Sequence, residues 1–283
     1  MKPQYNNFYF SSTLLWLDNL LLDKGQAYYN KGSLFYPVNQ YYNGIYAYAA
    51  PYKQFAYDSS ISGANIITGV YLNGNYTTIG QNGFLGINYE EGLALFDREI
   101  KVPISGNYAA KEIDVKSINE NDEYLLIQNK FYNKNNILTA TGNLTNQQPF
   151  PVIYVRNDDS ENTPSAFGGE YATNNITRLI IMADSQFQLD ATVSLITDRI
   201  QTYYPLFDLN EMPFNVLGGL KNGTFNYNGF ITDKIRTGKS IFIKEVSMTR
   251  LSSVILSELR KINTQIYVGI VDLHTEFFRY PRC

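Results

Sequence analysis

The sequence has very few of the side chains that carry protons, metals or electrons. Its 283 residues include one histidine (His274), one cysteine (Cys283) and one tryptophan. Charged residues make up 17% of the chain, below the roughly 25% of an ordinary globular protein. Aromatic residues are plentiful, with 24 Tyr and 17 Phe. This composition favours a protein that binds and assembles over one that catalyses a reaction.

Bulk composition excludes further classes of protein. A hydrophobic content of 44% excludes global disorder. A net charge of -3 provides no basic surface for a phosphate backbone, so no sequence-specific nucleic acid is expected as a partner. One cysteine cannot form an intrachain disulfide. Residues 1–7 lack a signal-peptide core, and the apolar run 14–22 is shorter than the ~20 residues of a membrane helix. We therefore expect a soluble protein made in a cytoplasm, with no membrane partner.

Residues 1–105 are predicted to be β-rich. Asn73-Gly74 is a favoured two-residue hairpin turn between strand-like segments, and further turns predict an antiparallel meander of about four strands up to residue 96. The Tyr-rich segment 28–57 suits an ordered aromatic loop or irregular strands at an interface. Residues 11–22 are consistent with a short helix ended by Gly25 or with a buried strand, because periodicity does not separate the two.

Residues 106–283 are predicted to be an α/β region. Ser185 and Gln188 have capping-box spacing. Leu189, Val193, Ile196, Ile200 and Tyr203 then recur at helical steps, which predicts one long amphipathic helix over residues 185–203, packed on a sheet. Strands are expected at 112–116, 124–131, 152–155, 179–183, 240–248 and 266–278, polar loops at 157–169 and 213–229, and a second helix at 252–262. The fold class is α+β, with one continuous compact unit as the alternative to two separate regions.

Three segments invite a chemical interpretation. Residues 236–240 (RTGKS) resemble the end of a phosphate loop, but Asp233 stands where the motif needs glycine, and a strand follows. Residues 158–161 offer carboxylates without the spacing of a calcium loop. Asp272, His274 and Glu276 alternate on one strand face and could hold a metal or an acid–base pair. No matching nucleophile accompanies them, and Cys283 lacks a motif. We therefore assign no catalytic, cofactor-binding or metal-binding residue and expect no enzyme.

The aromatic clusters are consistent with two kinds of binding. Tyr, Asn and Asp are the residues that carbohydrate sites use. A protein–protein interface accounts more simply for so many tyrosines beside so little charge.

Two parts of the chain resemble virion structural proteins of tailed bacteriophages. One runs from Phe167-Gly168-Gly169 through residues 179–190 to Tyr204-Pro205-Leu206-Phe207. The other is the strand–turn pattern of residues 69–74 and 83–96.

The resemblance implies a virion protein assembled in the host cytoplasm, at the level of the neck, head–tail connector or tail terminator. Its implied partners are copies of itself in a ring and other virion proteins of the portal, neck or tail. A host-attachment or carbohydrate-binding virion protein is the alternative.

Overall fold

The computed structural model describes residues 2–38, 44–119, 130–133, 147–165, 169–249, 251, 257, 259 and 266–280. The chain divides into two compact units, each built from separate stretches of sequence. Unit 1 comprises Met1–Gly25, Ile113–Phe207 and Ile231–Cys283, and unit 2 comprises Gln26–Glu112 and Asp208–Phe230. The fold is α+β in the broad sense and mostly β.

Unit 2 contains a seven-stranded sheet in which every strand pair is antiparallel. The strands are β1 (Tyr28–Pro37), β2 (Tyr46–Ala49), β3 (Gly69–Leu72), β4 (Asn75–Thr78), β5 (Phe84–Asn88), β6 (Leu93–Phe96) and β7 (Ile104–Lys111). The order across the sheet is β4-β3-β7-β1-β2-β6-β5.

The Asn73-Gly74 hairpin is confirmed. Both residues have positive φ, 48° and 84°, as the turn requires, and β3 pairs with β4. The prediction of one continuous meander is wrong, because β4 and β5 lie at opposite edges of the sheet. Two separate hairpins, β3–β4 and β5–β6, account for the local pattern. Strands β7, β1 and β2 lie between the two hairpins. The sequence signal for a hairpin does not specify which strand pairs next to it.

Unit 1 contains a six-stranded sheet in the order β13-β14-β15-β12-β11-β8. All its pairs are antiparallel except β8 with β11, so the expected α/β arrangement is wrong. An α/β sheet needs helical crossovers between parallel strands, whereas the consecutive strands β11 and β12 pair antiparallel. Its strands are β8 (Asp114–Ser117), β11 (Val152–Pro164), β12 (Tyr171–Ala183), β13 (Tyr203–Pro205), β14 (Ser240–Thr249) and β15 (Tyr267–Arg279); β9 (Lys130–Asn133) and β10 (Gln147–Phe150) form a separate parallel pair.

The core of unit 1 is centred on the buried run Leu179–Ala183 at the end of β12. On one face of the sheet, Tyr154, Ile180 and Met182 pack with Leu259 and Ile270 in an apolar cluster. On the other face, Thr177 and Thr275 contact the helix α1 (Tyr5–Asn19). Burial on both faces explains why this run is continuously apolar and does not alternate.

Helix α1 confirms the helical interpretation of the first apolar segment. It starts at Tyr5, earlier than predicted, and continues into a π-helical turn, Leu20–Lys24, capped by Gly25. At its start the Gln4 N–H donates to Asn7 Oδ1 at 2.9 Å, which satisfies a group that the first turn leaves unpaired. Tyr5 stacks on Phe277, with ring centroids 5.5 Å apart. Packing on the sheet therefore extends the helix beyond its apolar run.

Helix α2 (Gln186–Thr197) packs on the sheet as predicted, but it is shorter. Ser185 Oγ accepts the Gln188 N–H at 3.2 Å, and Leu189, Val193 and Ile196 are buried. The predicted positions Ile200 and Tyr203 lie beyond the helix, and Ile200 is 45% exposed. The chain leaves the helix because the Gln201 N–H, at a positive φ, donates to the Ile243 carbonyl beside β13.

Two further expectations differ from the structure. Residues 157–164 belong to β11, although they were predicted as a loop, because the ladder with β12 continues past a bulge and needs no particular side chains. Helix α3 (Tyr227–Arg236) falls partly within the predicted loop 213–229. Its first residue donates its N–H to Asp58 Oδ1 at 3.0 Å, so its cap is distant in sequence. The predicted strand 124–131 and helix 252–262 lie largely outside the described residues.

Candidate interaction surface

Strand β1 of unit 2 has a buried face and an exposed face. On the buried side, Phe35 contacts Phe55 and Tyr108, with ring centroids 6.4 and 6.0 Å away. Phe55 and Tyr108 stack on each other at 4.2 Å, and the Tyr108 hydroxyl lies 2.8 Å from Ser33 Oγ. This aromatic packing anchors the strand and fixes which side chains face outward.

The exposed face of β1 carries apolar side chains beside a groove. Leu34 is 47% exposed and Tyr36 is 57% exposed, and Val102, just before β7, is 43% exposed. They border a groove of about 680 Å³ that is also lined by Ile45 and Ala47. Contiguous exposed apolar surface is typical of interaction sites. We call Leu34, Tyr36 and Val102 the apolar rim.

A second groove of unit 2, of about 700 Å³, lies beside the loop 214–218. Val216 projects fully into solvent at the tip of this loop. Asn215 holds the loop, since its Oδ1 accepts the N–H groups of Leu217 at 2.9 Å and Gly219 at 3.1 Å. Glu90 and Glu91 also line this groove, and Glu91 is paired with Lys53 at 3.1 Å.

A third, smaller groove of about 370 Å³ is polar. Tyr71, Tyr76, Thr68 and Asn107 line it. The Tyr71 and Tyr76 rings lie 5.2 Å apart, and the Tyr76 hydroxyl is 3.1 Å from Thr68 Oγ1. Phenol, amide and hydroxyl groups in a shallow groove can hydrogen-bond and stack on a sugar ring.

The strand face of Asp272, His274 and Glu276 is held by ion pairs in unit 1. Arg178 donates to both Asp272 oxygens, at 2.7 and 2.9 Å. Glu276 lies 3.3 Å from Lys244. Arg178 is also 3.4 Å from Asp158 of β11, and Asp158 forms a second ion pair with Arg156 of the same strand. The carboxylates of this face thus neutralise cations of neighbouring strands.

His274 lies on this face opposite Ile176 of β12 and Glu245 of β14. The alternation of Asp272, His274 and Glu276 correctly indicated a shared polar face. The sequence held no signal for their partners, because Arg178 and Lys244 lie on other strands.

The remaining candidate residues that the structure describes lie in ordinary elements of the fold. Residues 236–240 form the end of α3 and a turn at Gly238, with φ 70°, before β14. Thr237 Oγ1 donates to the Asp233 carbonyl at 2.9 Å, as at an ordinary helix end. Asp158 lies at the bulge of β11. Cys283 lies outside the described residues.

The apolar rim was only partly foreseeable. The many tyrosines of residues 28–57 predicted an interface in this segment, which contains Leu34 and Tyr36. Val102 carried no signal, because it meets them only through the pairing of β7 with β1.

No family model matches the sequence, and the search of curated proteins returns no match. Within the part of the chain that the structure describes, no helix is long and apolar enough to span a membrane. Over the same residues, no group of three His, Cys, Asp or Glu side chains is placed to hold a metal ion.

Proposed function

We propose that this protein is a structural component of a tailed-phage particle, a ring-forming neck, head–tail connector or tail-terminator subunit that acts through protein–protein contacts. The observation that carries the proposal is the apolar rim beside its groove in unit 2. Exposing an apolar surface of this kind to water is unfavourable in free energy, and burial against a neighbour removes the penalty.

The composition supports the same role. Head-to-tail contacts around a ring bury a surface on each side of every subunit. The centres of such interfaces are rich in Tyr and Phe and poor in charge, as this chain is overall. The proposed partners are copies of the chain and the adjoining portal, neck or tail proteins of the virion.

Assembly of the purified chain tests the proposal. Light scattering and negative-stain electron microscopy should show rings, alone or after mixing with the portal, neck and tail proteins of the same particle. Leu34→Asp combined with Tyr36→Asp should weaken this assembly by placing charge on the apolar rim. Ile200→Asp, at an exposed apolar position of unit 1, is the matched control. A chain that stays monomeric alone and in every mixture would contradict the proposal.

A second experiment distinguishes a role in protein–protein contacts from a catalytic role. His274→Ala with Cys283→Ser removes the only imidazole and the only thiol, the groups that titrate nearest neutrality. The double variant should still assemble and support infectious particles. A screen for glycan hydrolysis covers catalysis by carboxylates alone. Normal particles that have lost infectivity would return attention to Asp272, His274 and Glu276.

The alternative, a host-attachment or carbohydrate-binding virion protein, is favoured by one observation, the polar groove of Tyr71, Tyr76 and Asn107. If it is correct, the chain should bind members of a glycan array. Tyr76→Ala should abolish that binding, whereas Tyr29→Ala, at another exposed tyrosine, should not. Absence of binding across the array would remove this alternative.

A further inference from the structure

One edge of strand β1 is covered by a described strand over only part of its length. One edge pairs with β7 from Tyr28 to Phe35 without a register shift. On the other edge, β2 pairs only with Tyr36 and Pro37. Across the described ranges, no strand or isolated bridge pairs with that edge between Asn30 and Leu34.

The ladder determines which backbone groups this edge presents. Antiparallel pairing points the N–H and C=O groups of successive residues to opposite sides. The Ala27 carbonyl accepts the Glu112 N–H on the β7 side, so odd positions face β7. The Val38 N–H donates to the Ala47 carbonyl on the β2 side, so even positions face outward. Asn30, Gly32 and Leu34, all exposed, therefore direct their backbone groups away from the sheet.

This edge carries few of the devices that prevent pairing with another chain. Proteins usually protect such edges with charges, prolines or bulges. From Tyr28 to Pro37 the only charged residue is Lys31, the only proline is the last residue, and the ladder with β7 has no bulge. The chemistry that satisfies alternate backbone N–H and C=O groups is another extended strand.

We propose that the occupant is β1 of a second copy of this chain, paired antiparallel about a two-fold axis at Gly32. In this register Gly32 faces Gly32 of the second copy, and Asn30 faces its Leu34. All three outward residues of each copy then exchange backbone hydrogen bonds.

The sequence of β1 suits this register. A two-fold contact requires a surface that is complementary to itself, and the three outward residues are placed symmetrically about Gly32. Lys31 faces Ser33 of the second copy, so no like charges are opposed, which would destabilise the pair.

This contact is two-fold, whereas the ring contacts proposed above run head to tail. Leu34 belongs to both surfaces, so a change at Leu34 does not separate them, whereas Gly32 lies outside the apolar rim. The chain would form pairs through β1 even if it were not a virion protein. Changes at Gly32 should therefore affect β1 pairing and leave the ring contacts of the apolar rim in place, which distinguishes the two results.

Disulfide trapping tests the register in the full-length chain with Cys283→Ser as background. Residues opposed in a hydrogen-bonded antiparallel pair have Cα atoms about 5.5 Å apart, within the range that a disulfide spans. Gly32→Cys should therefore cross-link under mild oxidation. A side chain at this position would first meet Asn107 Oδ1, the end of an exposed side chain that can rotate away.

Two variants are matched controls. Leu34→Cys lies on the same edge, but in the proposed register its two copies are four residues apart, about 13 Å. Val216→Cys is fully exposed elsewhere in unit 2. Cross-linking of Gly32→Cys that outpaces both controls supports the proposal. Equal rates for all three, or no cross-linking at Gly32→Cys, would overturn it.

Sedimentation velocity provides a second test that needs no cross-link. Gly32→Pro removes the outward N–H and none of the bonds to β7. Because two symmetric hydrogen bonds are lost, self-association should weaken about tenfold or more. Gly32→Ala keeps the N–H and should retain it. Unchanged association of a folded Gly32→Pro variant contradicts the proposal, and the trapping experiment decides if that variant does not fold.

Discussion

Unit 1 and unit 2 bury their side chains in different ways. Unit 1 has three 13-residue strands, β11, β12 and β15, paired over almost their full length. Buried hydroxyls bridge its sheet and helices, as where Tyr9 meets Thr177 at 2.7 Å and Thr13 meets Tyr204 at 2.9 Å. Unit 2 has mostly short strands joined by tight turns, and its core contains stacked and edge-on aromatic rings.

This difference in packing predicts that the two units respond differently to substitution. A buried hydroxyl network is stable only when every member is satisfied, so unit 1 should tolerate little change inside. The aromatic core of unit 2 lies directly behind exposed apolar side chains on β1, where change removes no internal contact of comparable size. We expect substitutions within unit 1 to affect folding, and substitutions on the apolar rim of unit 2 to affect binding.

The largest expected effect is at Ile196, which is fully buried in α2 of unit 1. Ile196→Asp places an unpaired charge in the core and should lower the free energy of unfolding by about 3–5 kcal/mol. Urea unfolding followed by circular dichroism measures the change. Ala191→Asp, at an exposed position of the same helix, should change it little. If both variants unfold alike, the buried face of α2 is misassigned.

A smaller effect is expected at Tyr9. Its hydroxyl bonds to Thr177 at 2.7 Å and Thr275 at 2.9 Å, so Tyr9→Phe leaves two buried hydroxyls short of a partner. The free energy of unfolding should fall by about 1–3 kcal/mol. Tyr203→Phe, at an exposed tyrosine, is the control and should be neutral. A neutral Tyr9→Phe would show that the network contributes nothing to unit 1.

Tyr9→Phe also tests how the free energy of unfolding depends on pH. Burial raises the pKa of Tyr9 above its ordinary value, although hydrogen bonds with Thr177 and Thr275 oppose the shift. Below about pH 10 both the folded and unfolded states keep this proton. Above it the unfolded chain ionises first, so stability falls as pH rises towards the folded-state pKa. Tyr9→Phe should make the alkaline loss of stability less steep; an identical slope would contradict this assignment.

The smallest effect on folding is expected at the apolar rim. Leu34→Ser should shift the free energy of unfolding by no more than about 0.5 kcal/mol, because the side chain is half exposed. Its effect on assembly should be larger, since the rim is the proposed contact. Thermal unfolding and light scattering of the same samples measure both. Destabilisation as large as that of Tyr9→Phe would remove the distinction between the two units.

Local sequence signals determined much of the secondary structure. The Asn73-Gly74 hairpin, the Ser185 cap and the buried strand at residues 179–183 are all present, since each depends on backbone preference or periodicity within a few residues. The aromatic richness of residues 28–57 predicted an ordered loop or irregular strands at an interface. The structure has the regular strands β1 and β2 in this segment, and the interface stays a prediction. Composition alone predicted a protein that binds and assembles, and this stays a prediction.

Tertiary structure decided what those elements pair with. It separated the two hairpins to opposite edges of one sheet, and it made residues 157–164 a strand through pairing with β12. It also capped α3 with Asp58 and paired Asp272 with Arg178, partners 169 and 94 residues apart. Among the residues that the structure describes, the edge at Gly32 is left unpaired because β2 pairs with only two residues of β1. Such contacts depend on burial and geometry summed over the whole chain, and no window of local sequence encodes them.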